Sequence, residues 1–111
     1  MVIRMSMQEA TYLILMALAE GRRHGYGVIL EVTRISDGSV VLSPGTLYGA
    51  LDRLTAAGVI AEDGDELVDG RRRRYYTLTD RGLAALADET QRRGQQVREA
   101  TRRLRVRGVL S

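Results

Sequence analysis

At 111 residues the chain has the length of one domain, and folding at this size buries about two-thirds of the unfolded surface, enough for one hydrophobic core. A 44% hydrophobic share excludes wholesale disorder, and the absence of cysteine excludes disulfides and thiolate metal sites; with no long apolar run and no secretory leader visible, a cytoplasmic location is expected. Every basic residue is an arginine: ten stand against thirteen acids in residues 1–91, seven against Glu99 alone in residues 92–111, and Arg71, Arg72, Arg73 and Arg74 form a second block, a distribution that suits either a phosphate polyanion or two solvated faces.

Residues 8–20, QEATYLILMALAE, predict a first helix, rich in Leu, Met and Ala. Between Ala10 and Ala19 only Thr11 is polar, and a helix apolar on all sides must be covered on more than one. Two coverings are open: the chain's own core on one side with a second subunit on the other, or a central place in a monomeric core. GRRHGYG then predicts a turn with His24 as a surface residue, followed by a second helix over Tyr26 to Ile35 with Tyr26, Ile29, Leu30 and Thr33 on one face.

Ser43-Pro44 is a strong helix start, a hydroxyl N-cap followed by proline at the first helical position, and it opens a third helix to Ala57 with Gly58 just beyond. At 100° per residue Leu47, Ala50, Leu51 and Leu54 share one face, and Gly45, Gly49, Asp52 and Ala56 the other, flanked by Thr46, Tyr48 and Arg53. Asp69-Gly70 then predicts a hairpin between Val59 and Leu78. Thr79 caps a long fourth helix to about residue 107, in which Leu83, Thr90, Val97 and Leu104 recur at intervals of seven beside Leu86 and Ala100; Arg93 and Arg107 weaken the seam.

The second and third helices form a helix-turn-helix pair. A helix that reads a groove needs small residues where its backbone approaches and donors where phosphates and base edges lie, which suits Ser43, Gly45, Thr46, Tyr48, Gly49 and Arg53. The hairpin with Arg71 to Arg74 would be a wing along the backbone or in a narrow minor groove, unless its acids Glu62, Asp63, Asp65, Glu66 and Asp69 absorb the charge. Tyr26 either offers its hydroxyl to a phosphate or is a core ring with a wet tip. One histidine, no cysteine and no phosphate-cradling loop leave no nucleophile–base constellation, so no enzyme, cofactor or metal is expected. The rival to DNA binding is a winged-helix adaptor for protein contact.

Three blocks, YLILMALAEGRRHGYGVILEV (Tyr12 to Val32), LSPGTLYGALDRLTAAGVI (Leu42 to Ile60) and RRRRYYTLTDRGLAAL (Arg71 to Leu86), resemble the PadR family of transcriptional regulators. The resemblance implies a mainly α fold with a small β-hairpin, a winged helix-turn-helix over 1–78 and a C-terminal dimerisation helix over 79–111. It implies a homodimer clamped by the first and last helices, for which Tyr12, Leu15, Met16, Leu83, Leu86, Thr90, Val97 and Leu104 are the candidate contacts. It further implies double-stranded operator DNA as partner, repression of an adjacent promoter, and release by a small hydrophobic or phenolic effector; the lack of Trp and Phe argues against an aromatic effector pocket.

Overall fold

The computed structural model describes residues 7–111, so the first six positions of the expected winged-helix segment lie outside the described residues. In chain order it contains α1 (Glu9–Ala17), β1 (Arg23–His24), α2 (Gly25–Ile35), α3 (Pro44–Ala56), β2 (Ile60–Val68), β3 (Arg71–Leu78) and α4 (Asp80–Val106). The fold is a winged helix: three short helices, an antiparallel sheet and a long C-terminal helix.

The expected turn GRRHGYG is only partly a turn. Arg23 and His24 pair with Tyr76 and Tyr75, which adds a third strand in the order β1–β3–β2. Two residues are too few for any periodic signal, so a strand of this length is created by its neighbour. α1 is shorter than 8–20: it stops at Ala17, and the Leu18 N–H turns to the carbonyls of both Ile14 and Leu15. The wing turns on Asp69 and Gly70, both at positive φ (51° and 75°), the pairing that a two-residue hairpin requires.

The core gathers Leu13, Ile14, Leu15, Leu18, Val28, Val32, Leu47, Leu51, Ile60 and Tyr76. α2 turns Val28 and Val32 inward, leaving Tyr26 and Leu30 exposed on the face that carried the expected stripe. The chain's own core therefore encloses much of α1. Leu15 departs from the expectation of a subunit contact: it is 1% exposed inside its own domain, where it fills the core and has no surface to offer. Tyr12 and Met16, on the flank of the helix, stay half-buried.

The start of α4 is set by two groups. The Thr79 hydroxyl caps it by accepting from the Gly82 N–H (3.1 Å) and donates to the Gly58 carbonyl (2.6 Å). Gly82 lies against the Val59 backbone so closely that a Cβ there would overlap the Val59 carbonyl oxygen. Farther along, α1 and α4 are joined by polar contacts. The Thr90 hydroxyl donates to Leu86 O (2.7 Å), and the Tyr12 hydroxyl lies 2.9 Å from Thr90 Oγ1. Arg93, which the heptad pattern treats as a defect in the seam, stacks 4.2 Å from the Tyr12 ring centroid and donates to Met7 O (2.8 Å). Glu89, 6% exposed, receives both Arg92 and Arg93, whose hydrogen bonds pull its carboxyl down to about 2.

Two outcomes follow from these contacts. Gly82→Ala should lower unfolding free energy by about 1–3 kcal/mol, the cost of forcing a methyl into close-packed surroundings, measured by chemical denaturation. Because Glu89 is held below its ordinary value of 4.5, its contribution is complete above that value and lost as pH falls toward about 2. Denaturation midpoints should fall across that interval in the wild type and fall less steeply in Glu89→Gln.

Candidate nucleic-acid interface

α3 is oriented by its inner face. Leu47 and Leu51 are completely buried and Ala50 nearly so, which turns Gly45 and Gly49 outward. A Cβ at Gly45 would meet open space, and one at Gly49 only the Arg53 guanidinium, at 3.6 Å. The first turn is closed by Ser43, whose Oγ accepts from the Thr46 N–H (3.2 Å) and whose hydroxyl donates to Thr46 Oγ1 (2.9 Å). Ser43, Thr46, Tyr48 and Arg53 are all exposed on this side. Two glycines in one helix cost about 1 kcal/mol each relative to alanine, so a bare outer face is maintained against local propensity.

A cleft separates α3 from the hairpin. His24, Gly25 and Tyr26 form its floor, Tyr48 and Asp52 one wall, and Arg71 to Arg74 with Tyr76 the other. Tyr26 is 59% exposed, so of its two readings the structure gives the outward phenol. Tyr48 lies across Gly25: a Cβ there would stand 2.6 Å from its hydroxyl oxygen and 2.8 Å from Cζ. Glycine at position 25 is thus what lets the Tyr48 ring close on the start of α2.

The wing arginines are partly matched by their own hairpin. Arg72 meets Asp65 at 3.4 Å and Arg74 meets Glu62 at 3.3 Å, all four exposed, a geometry worth little in water and readily exchanged for phosphate. The Tyr76 hydroxyl, then Glu62, then Asp52 across the cleft hold the Arg74 guanidinium above its ordinary pKa. Asp52, on the outer face of α3, here faces a cation. His24 is expected as a surface residue in a turn, and it is the turn that differs. The residue stands in a strand, its Nδ1 accepts from the Gly27 N–H (3.0 Å), and burial followed by the charge of Arg73 lowers its pKa. Arg22, which the sequence reading passed over, stacks 4.3 Å from the Tyr75 ring and donates to Asp63 O (3.0 Å), bracing the base of the wing. Only the position of His24 three residues before Gly27, at a helix start, could have signalled its capping role.

The α4 stripe stands apart from this cleft. Leu83, Val97 and Leu104 are exposed at 48%, 63% and 40%, Thr90 is exposed, and Leu86 alone packs on the core. Beyond it Glu99 draws in Arg102 and Arg103, whose hydrogen bonds bring its carboxyl to about 2.

Residues 14–88 match the model of the Transcriptional regulator PadR-like family. The chain belongs to the PadR-like family of transcriptional regulators. Among curated relatives, the transcriptional regulator Rv3488 of Mycobacterium tuberculosis is 37% identical over 86 residues, covering 78% of this chain and 77% of that protein. A PadR family transcription regulator from Clostridium difficile superposes with a TM-score of 0.68 at 26% identity, covering 87% of this chain and 98% of that one. Bacillus subtilis PadR in complex with operator DNA superposes with a TM-score of 0.65 at 26% identity, over 73% of this chain and 46% of that one. The family match spans the cleft and both of its walls and ends within α4.

Gly25→Ala should push the Tyr48 ring out of its seat at a folding cost below about 1.5 kcal/mol, since a phenol can change rotamer where a backbone cannot move. Loss of ring-to-Gly25 contacts in the NMR spectrum, with the fold otherwise intact, is the expected result.

Proposed function

We propose that this chain is a sequence-specific, double-stranded DNA-binding regulator that acts as a homodimer in the cytoplasm and represses a promoter carrying a dyad-symmetric operator. One observation carries the reading: α3 presents an uncovered glycine face with Arg53 beside it, and its Tyr48 and Asp52 border the same cleft as the four wing arginines. In this reading α3 enters the major groove, its N-terminal N–H groups and Ser43, Thr46 and Tyr48 hold phosphates, and Arg53 meets a guanine edge or a phosphate. Tyr26 and Arg71 to Arg74 track the adjoining backbone. The complex named for the Bacillus subtilis relative supports DNA as the ligand.

The division of labour follows the chain: residues 1–78 read DNA and residues 79–111 pair the subunits. Support for the second part is the exposed row Leu83, Val97 and Leu104 on one side of a 27-residue helix, apolar surface that a copy of the same helix would cover. In this reading Tyr12, Met16, Leu86 and Thr90 complete the contact, and Leu15, buried in the core, takes no part in it.

A salt titration on the chain's own promoter region tests the reading. A dimer that neutralises about 6–10 phosphates should lose roughly 10³–10⁵ in affinity between about 50 and 200 mM salt. Tyr48→Ala and Arg53→Ala should each weaken binding by about 1–3 kcal/mol while the dimer elutes unchanged from a sizing column. Footprints should show half-sites about 10 base pairs apart, or a small multiple of that. A shallow salt slope, or no promoter binding at any salt, would favour the protein-contact adaptor.

A further inference from the structure

His24 touches the wing wall of the cleft, and its chain neighbour Gly25 touches Tyr48 of the other. His24 sits in β1 opposite Tyr75 of β3, its ring meeting Tyr75 edge to face at 5.6 Å and 78°. Nδ1 caps α2 by accepting from Gly27 N–H at 3.0 Å, and Nε2 lies 3.2 Å from Nη1 of Arg73 in the wing. The next residue, Gly25, is the floor on which Tyr48 of α3 rests. A continuous path therefore runs from a wing arginine, through one imidazole and one glycine, to the reading helix.

Both ring nitrogens face N–H donors, whereas a neutral imidazole has a single lone pair to give. His24 accepts from Gly27 or from Arg73, never from both at once. Protonation removes the acceptor altogether and sets the ring against both donors. The other groups facing it are Glu66, bound to the Tyr75 hydroxyl at 3.1 Å, Arg22 over Tyr75, and Asp52 across the cleft.

We propose that His24 is a positioning residue for DNA contact, a neutral joint that couples the wing's Arg73 to the Tyr48 end of the reading helix. When a phosphate takes Arg73, the lone pair is committed to Gly27, and the first turn of α2 closes beneath Tyr48. Phosphate binding at the wing thus steadies α3. This inference rests on the DNA-binding reading above.

The test compares the wild-type chain with His24→Asn, which keeps a capping acceptor but cannot reach Arg73, and with His24→Ala, which loses both. Binding to the promoter fragment is measured from about pH 8 to pH 5.5 and across salt, with Arg73→Gln alongside. Wild-type affinity should fall several-fold on acidification. His24→Asn, capped at all times, should bind at least as tightly as wild type at pH 8 and His24→Ala roughly threefold to tenfold more weakly, both nearly independent of pH and unchanged in salt slope. Arg73→Gln should lower that slope by about 1, as loss of a phosphate contact does. A wild-type pH profile in His24→Asn, or binding by that variant weaker than wild type at pH 8, would overturn the proposal, as would wild-type binding that tightens on acidification, the behaviour of a simple added cation. Hydrogen exchange without DNA separates this failure from failure of the DNA reading. Gly27 should lose protection in His24→Ala and keep it in His24→Asn; equal protection in both removes the cap, and with it the joint.

Discussion

The seating of α3 in the core governs the rest of the molecule. Leu47 and Leu51 are both fully buried in the core, where α3 packs against α2 and β2, and a helix pinned at two positions four residues apart cannot rotate. Burial of one face then dictates the other: Gly45, Gly49 and Arg53 face away because the leucines face in. Hydrophobic burial, with no specificity of its own, thereby aims a set of polar and backbone groups. The two outward glycines weaken the helix locally, and the buried row offsets that weakness.

The wing depends on the same core through Tyr76. Its ring is 3% exposed and roots β3, while the arginines before it stand in solvent on a two-residue turn. The hairpin's acids make a few long, exposed ion pairs with these arginines, which limits self-repulsion without fixing the side chains. β1 ties the base of the wing to α2, and there His24 and Gly25 bring α2, β3 and α3 within contact of one another. The cleft is a junction of three elements.

At the opposite side, α1 and α4 show how an all-apolar helix can be covered largely from within. Leu13, Ile14, Leu15 and Leu18 are taken up by the chain's own core, and the polar edge is closed by Tyr12, Thr90, Arg93 and Glu89. Arg93, a flaw in a heptad, is a structural tie in three dimensions. Of these two helices, it is α4 that leaves large apolar side chains uncovered, at Leu83, Val97 and Leu104.

Much of the fold and the outer face of the site were legible in the residues alone. Ser43-Pro44, Asp69-Gly70 and Thr79 are local signals whose hydrogen bonds close within three or four residues, and helical periodicity assigns the two faces of α3 without reference to anything distant. Tertiary structure decided what local rules cannot encode. A two-residue strand exists only because β3 lies beside it, and His24 became a cap and a neighbour of Arg73 only after that pairing formed. Leu15 and Met16 look alike in an apolar run, and only the packing of helices that are remote in sequence separates the buried one from the half-covered one. Contacts across 49 residues, such as His24 with Arg73, depend on chain topology, which no window of sequence contains.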